Sequence, residues 1–474
     1  MAGWSGASAR RLEDPEHWVE SAERLERAVR LARTLGARGG LFDRVLIELQ
    51  DRADRFGHDI RGYLGTRAME LLLEFRAGDC ERNAQQAATA AAAAREASDW
   101  DRCRTNLKVV LACRRRLNDA AGQRAAVEAI AATYVDQADI GEQGRDWMMV
   151  SHFLQKAIEA YRRAGGHRDM VEVLHGRLLD AQERSLEQLR PMRQDMDISE
   201  IVEAARRRVA GVPLRAALVR FAHARRILDF AHLRERAEKL AQEFPLQGLM
   251  SAVLLDRRGR QKARRPPLLT DDPQQREEAL FTRVVEHADF ERDLATRAVL
   301  IPALDQITSE HRITTRDLME FVEPSAFVPP GREGLYAWGL LAGFEGDFVS
   351  AMHLLLPQVE NSVRHLMASA GLVVTTMDEN GDQQEMTLAP MLSDERLRDL
   401  LPEDVVLELR TLLTDPRGPN LRNRFAHGLM DEDEFSSPPA VYAWWLAFNL
   451  CARTRFAELS PMPEAVRSGD GAGQ

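Results

Sequence analysis

From about residue 15 to residue 250, apolar side chains recur at intervals of three and four, and strand-like alternation is hard to find. That period predicts a long succession of α-helices. The breaks between them are short and mostly glycine-bearing: 36–40, Arg76-Ala77-Gly78-Asp79, Gly165-Gly166 and Gly211-Val212-Pro213. Two windows resemble each other. Residues 27–36 place Ala28 eight positions before Gly36, and residues 156–165 place Ala157 eight positions before Gly165. An alanine on the inner face and a glycine closing the helix suit closely paired helices. The pattern is that of a degenerate tetratricopeptide-style hairpin without a clean period, or of an irregular helical bundle. Residues 87–94 are alanine-rich and helical on propensity alone.

The pattern changes after residue 255. Arg257, Arg258, Arg260, Lys262, Arg264 and Arg265, followed by Pro266-Pro267, predict a basic exposed loop: a phosphate-contacting arm or a solvated connection. Helical spacing returns from Glu277 through Ile307, and Pro324, Pro329 and Pro330 mark a boundary. Beyond it, helices are expected over 334–342 and 352–369, with Pro357 as a kink. The runs 372–377 and 385–388 flank Asp378-Glu379-Asn380-Gly381, which predicts a small β-hairpin inserted between helices. Helices follow over 394–400 and 402–413, and an aromatic helix over 441–456. The uncharged run 435–452 is broken by Pro438-Pro439. What remains is too short for a bilayer, which takes about 20 residues, so it is expected as a buried core helix. The end, 467–474, is Gly-rich.

Composition narrows the class. The chain has 474 residues, of which 45% are hydrophobic and 29% charged, as in a soluble globular protein of two or three domains. A net charge of −10 provides no global basic field for nucleic acid, so any RNA contact needs a local patch. Cys80, Cys103, Cys113 and Cys451 have no CxxC spacing and form no metal cluster with histidine. They are expected to be reduced and partly buried, which suits a cytoplasmic location. Residues 1–20 contain no apolar run of the secretory type, and no cofactor is expected.

The chemistry is concentrated in Asn420-Leu421-Arg422-Asn423-Arg424-Phe425-Ala426-His427-Gly428. Gly418-Pro419 ends the preceding element and Asn420 is a suitable N-cap. On a helix starting there, Asn423 and His427 share a face at i and i+4, while Arg422 lies about 140° around from His427. Arg422 therefore meets His427 by curling its side chain or across two copies of the helix. Histidine suits acid–base transfer, arginine binds a phosphate through two hydrogen bonds, and asparagine orients either. The same residues also fit a plain helix end, with His427 before Gly428 as a C-terminal cap. Arg424 is expected in a salt bridge or on an RNA-facing surface.

Arg422-Asn423-Arg424-Phe425-Ala426-His427-Gly428 resembles the R-N-x-x-x-H-G signature of a domain-of-unknown-function family that is itself similar to the HEPN superfamily. Further blocks carry the likeness: Ser325-Ala326-Phe327-Val328-Pro329-Pro330-Gly331-Arg332, Gly343-Phe344-Glu345-Gly346-Asp347-Phe348, Leu356-Pro357-Gln358-Val359-Glu360-Asn361 and Val441-Tyr442-Ala443-Trp444-Trp445. The likeness covers about 301–453. It implies an all-helical, dimerising domain and metal-independent endoribonuclease activity leaving a 2′,3′-cyclic phosphate, in phage defence or stress. On that resemblance Arg422 binds the scissile phosphate, Asn423 positions it and His427 is the acid or base; Glu360, which has no counterpart in the resemblance, and Gly428 are supporting candidates. Glu360 is expected to pair with Arg422 or Arg364, as a structural salt bridge.

The expected architecture is therefore all-α. A helical-hairpin region over 1–255 is followed by a basic exposed loop over 256–276 and a helical connector over 277–330. A HEPN-like bundle with a β-hairpin spans 331–458, and a flexible tail spans 459–474. The implied partners are RNA, a second copy of the chain, and an unidentified protein on the N-terminal helices, with no membrane. The alternatives are a non-catalytic dimerisation scaffold and a toxin-like partner silenced by a neighbouring nucleotidyltransferase.

Overall fold

A computed structural model describes residues 18–34, 40–58, 63–190, 196–244, 251–377 and 381–453. The described chain is all-α with two small antiparallel hairpins. It divides into two compact units, residues 1–192 with 256–260, and residues 193–255 with 261–474.

The first unit contains eight described helices: α1 (Trp18–Thr34), α2 (Leu41–Phe56), α3 (Leu64–Glu74), α4 (Cys80–Glu96), α5 (Trp100–Arg116), α6 (Ala120–Gly144), α7 (Trp147–Ala164) and α8 (Arg168–Gln188). From α4 to α8 each helix packs on the next in sequence. The first three of these joints have a common chemistry. Ser98, Asn118 and Arg145 each take a left-handed conformation. The following Asp99, Asp119 or Asp146 sends its backbone N–H back to a carbonyl of the helix just ended. Its carboxylate then accepts from a backbone N–H of the next helix. One residue thus closes one helix and caps another, at about 1 kcal/mol per cap.

The two look-alike windows differ in outcome. Ala157 is fully buried and Gly165, at φ 75°, ends α7 as expected. Ala28, by contrast, is exposed on α1, and Gly36 lies outside the described residues.

The second unit begins with α9 (Ser199–Val209), α10 (Leu214–Ala222) and α11 (Phe230–Glu243). Strands β1 (Ala252–Leu255) and β2 (Gln261–Arg265) then pair antiparallel, Ala252 opposite Arg265. The basic segment is therefore half of a hairpin and not a loop over 256–276. Alternation leaves Lys262 and Arg264 exposed and turns Arg265 toward Glu286, 2.7 Å away. Lys262 donates to the Gly418 carbonyl at 3.2 Å.

Helix α12 (Pro273–Ala295) runs through a π-helical turn at Thr296–Leu300 into α13 (Ile301–Glu310). Next come α14 (Thr315–Val322), α15 (Glu333–Phe344) and α16 (Phe348–Ser369), which contains Pro357 without being ended by it. The second hairpin, β3 (Thr375–Met377) and β4 (Gln383–Glu385), stands where Asn380-Gly381 predicted one, although 378–380 lie outside the described residues. The unit closes with α17 (Leu388–Ser393), a 3-10 turn at Glu395–Asp399, α18 (Glu403–Leu413), α19 (Leu421–Ala426), α20 (Glu432–Phe435) and α21 (Pro438–Cys451).

In α21 every residue from Ala440 to Cys451 is buried, and Pro438-Pro439 start the helix instead of breaking it. Trp444 donates to the Leu340 carbonyl at 3.1 Å. Trp445 donates to the Phe221 carbonyl at 2.9 Å, and Asn449 to the Ala222 carbonyl at 2.6 Å. Val209, Leu218, Leu304, Val322 and Trp445 share one hydrophobic core. The boundaries expected at 255 and 330 are therefore not those of the compact units: α9, α10, α13 and α14 complete the core around α21. Among the described residues, no helix is long and apolar enough to cross a membrane.

Candidate functional site

Helix α19 is a single short turn, six residues long. Leu421 is buried, and Phe425, four residues on, meets the edge of the His353 ring at 4.8 Å between centroids. His353 also stacks on Phe435 at 5.6 Å. These contacts turn one face of α19 inward and fix the rest of the motif.

Asn420 occupies the N-cap position in a left-handed conformation, φ 54°, and its side chain makes no capping bond. Its Oδ1 instead accepts from Asn423 Nδ2 at 2.7 Å. Asn423 also donates to the Thr414 carbonyl at 3.4 Å. The amide is thereby held by its own loop.

Arg422 meets a carboxylate. Its Nε donates to Glu360 Oε2 at 2.7 Å and its Nη2 to Glu360 Oε1 at 3.3 Å. The Glu360 side chain is 11% exposed and that of Arg422 23%. Glu360 also receives Arg364 Nη2 at 3.2 Å. Arg364 in turn reaches Glu385 at 3.1 Å and the Met386 carbonyl at 2.9 Å. A chain of charges thus links α19, α16 and β4. Among the described residues, no acceptor meets the Nη1 group of Arg422 or the second N–H of its Nη2.

His427 lies beyond the helix, as its C-cap residue, and is exposed. Asn423 and His427 keep the i, i+4 relation expected of them, since the His427 N–H still donates to the Asn423 carbonyl at 3.1 Å, although the helix itself ends at Ala426. It ends there because Gly428, at φ 63°, turns left-handed, and Leu429 N–H returns to the Arg424 carbonyl at 2.8 Å. A Cβ at residue 428 would meet nothing nearby, so glycine serves the turn and no close approach. No side-chain hydrogen bond joins Arg422, Asn423 and His427 to one another among the described residues. Arg424 binds the buried Glu434 at 2.7 Å, a salt-bridge residue as expected.

A second charged cluster carried no sequence signal. Arg292 on α12 is 1% exposed, and its Nε donates to the fully buried Glu408 of α18 at 2.9 Å. Its Nη1 donates to Asp289 at 2.7 Å and its Nη2 to the Thr411 hydroxyl. Burial pushes the Asp289 carboxyl up to about 6, against the pull of Arg292 and Lys262. Burial prevails because Arg292 is already neutralised by Glu408. The Tyr442 phenol is buried as well, and burial, with the charge of Glu408 beside it, raises its pKa well above the ordinary value. The partners lie 116 positions apart in the chain, which explains the missing signal.

Among the described residues, no group of three or more His, Cys, Asp or Glu is arranged to hold a metal ion. No family model, no curated protein and no solved structure matches the chain.

Proposed function

We propose that the second unit is a HEPN-type, metal-independent endoribonuclease of the cytoplasm, acting as a homodimer in phage defence or stress. In this reading its α15–α21 region is the HEPN-like bundle, and the first unit is a tetratricopeptide-like array for sensing or partner binding. The observation that carries the reading is the state of Arg422 and His427. Glu360 grips Arg422 through two nitrogens and leaves its outer N–H groups open, while His427 stands exposed at the end of the same short helix.

Since the two side chains do not meet within one chain, the proposed site takes one set from each of two copies. One His427 removes the proton from a ribose 2′-hydroxyl. The 2′-oxygen bonds to phosphorus as the bond to the 5′-oxygen breaks, and the second His427 gives the leaving oxygen its proton. Arg422 stabilises charge on the non-bridging oxygens, and Asn423 holds the phosphate. The products are a 2′,3′-cyclic phosphate and a 5′-hydroxyl.

The test is to incubate the full chain with RNA and map the ends. The expected result is cleavage with those two termini, lost in His427→Ala and indifferent to EDTA. Equal cleavage or equal cell toxicity from parent and His427→Ala would overturn the proposal. The non-catalytic scaffold is the second reading. It is favoured by the bonds that already engage Arg422 and Asn423.

A further inference from the structure

The first unit has an uncovered seam. Between α1 and α2 lies an open groove of about 800 Å³. Its floor is apolar: Leu25, Ala28 and Leu31 from α1, with Leu41 and Val45 from α2. Leu25 and Val45 pack on the core below, whereas Leu31 is 53% and Leu41 38% exposed. The lining residues recur at three and four along each helix, from Ser21 to Leu31 and from Leu41 to Arg52. At 1.5 Å per residue the seam is about 15 Å long, a trough of the proportions of a helix about 10–12 Å across.

Ala28 shows what is missing. Its counterpart Ala157 is buried in a cluster with Ala138 of α6 and Leu174 of α8. At Ala28 the equivalent small residue lies open, so the seat for a neighbouring helix is present and no helix among the described residues fills it.

The rim selects the occupant. Arg24, Arg27, Arg44 and Arg52 line the groove against one acid, Glu48. Arg24 is paired with Glu20 and Arg52 with Glu48. Arg27 and Arg44 have no ion-pair partner among the described residues. A second copy seated symmetrically would bring the same arginines face to face, which like charges oppose.

We infer that this groove receives an amphipathic helix of a partner protein, with leucine-like side chains on its buried face and acidic residues beside them. The inference rests on reading the first unit as a partner-binding array and not on the nuclease chemistry, so absence of RNA cleavage leaves it standing.

The probe is a fluorescein-labelled peptide of about 16 residues, roughly four helical turns. It carries leucine at i, i+3, i+4 and i+7 with glutamate flanks, and its control has lysine for every glutamate. Anisotropy with the full chain should show the acidic peptide binding at least about tenfold more tightly, the gap narrowing with added salt. The double variant Arg27→Glu/Arg44→Glu should invert the preference. Leu31→Lys should abolish binding while its thermal unfolding matches the parent, because Leu31 is exposed. Equal binding of both peptides, or an unchanged preference in the charge-reversed variant, overturns the proposal. Three further outcomes also overturn it by naming another occupant. Self-association lost in Leu31→Lys assigns the groove to a second copy. Oleate binding without peptide binding assigns it to a lipid. Peptide binding that appears only when Glu13, Asp14 and Glu16 are replaced by lysine in the full chain assigns it to the chain's own first residues.

Discussion

Replacing Arg422 by alanine removes two charge-assisted hydrogen bonds from a nearly buried carboxylate. Each such bond contributes about 1.5–3 kcal/mol when its partner is left orphaned. Here the loss is smaller, because Glu360 keeps Arg364 at 3.2 Å and the Arg422 side chain is already 23% exposed. A net cost of about 1–2 kcal/mol follows, a fall of about 2–4 °C in the melting temperature of a unit this size. Glu360→Ala should cost a similar amount, and the double variant less than the sum, with a coupling of about 1 kcal/mol. His427→Ala should change stability by less than about 0.5 kcal/mol, since the ring is exposed and makes no side-chain hydrogen bond among the described residues. Calorimetry of the four variants beside the parent checks this. Unchanged melting of Arg422→Ala, or additive single losses, would refute the claim that the pair holds α19 to α16. The comparison also governs the activity test: loss of RNA cleavage in Arg422→Ala mixes chemistry with stability, whereas loss in His427→Ala does not.

The remaining predictions concern the interior. A Cβ at Gly343 would sit 2.1 Å from Trp444 Nε1, so Gly343→Ala should destabilise the second unit by at least about 1–3 kcal/mol, seen as a lower melting temperature and altered tryptophan fluorescence. The Asp289 carboxyl, raised to about 6 by burial, binds its proton more tightly folded than unfolded, so its ionisation weakens the fold as pH rises from about 4 to 6. Asp289→Asn should therefore gain on the parent over that interval and hold a constant margin above it. The margin is about 1 kcal/mol, since 32% of the side chain meets solvent. A margin independent of pH would contradict this. All four cysteines are free and buried, with the Cys113 thiol pushed up to about 12 by its surroundings. A thiol reagent at neutral pH should label the native chain slowly and label it fully on unfolding.

What was legible in the sequence was local. Helical spacing, the hairpin signal at Asn380-Gly381 and the uncharged run over 435–452 each express a backbone or burial preference within a few residues, and the helices, the paired strands β3 and β4 and the buried helix α21 appear in the structure. The equally spaced Asp79, Asp99 and Asp119 were also legible in principle, as repeated N-caps. The basic segment predicts an exposed loop only while its charges stand without their partners. Glu286 and the Gly418 carbonyl, which hold Arg265 and Lys262, are remote in sequence.

The sequence alone thus determined an all-helical chain with a short Arg/Asn/His motif after a Gly-Pro break. Only the tertiary structure decided that α9 and α10 close the core around Trp445 and that Arg292 lies buried between α12 and α18. It also decided that Glu360 takes both partners the sequence offered as alternatives, Arg364 and, 62 residues away, Arg422, while His427 stands exposed at the helix C-cap. The physical reason is range. Periodicity and turn chemistry are set by neighbouring residues, whereas the partner of a buried charge is set by which helices the core brings together.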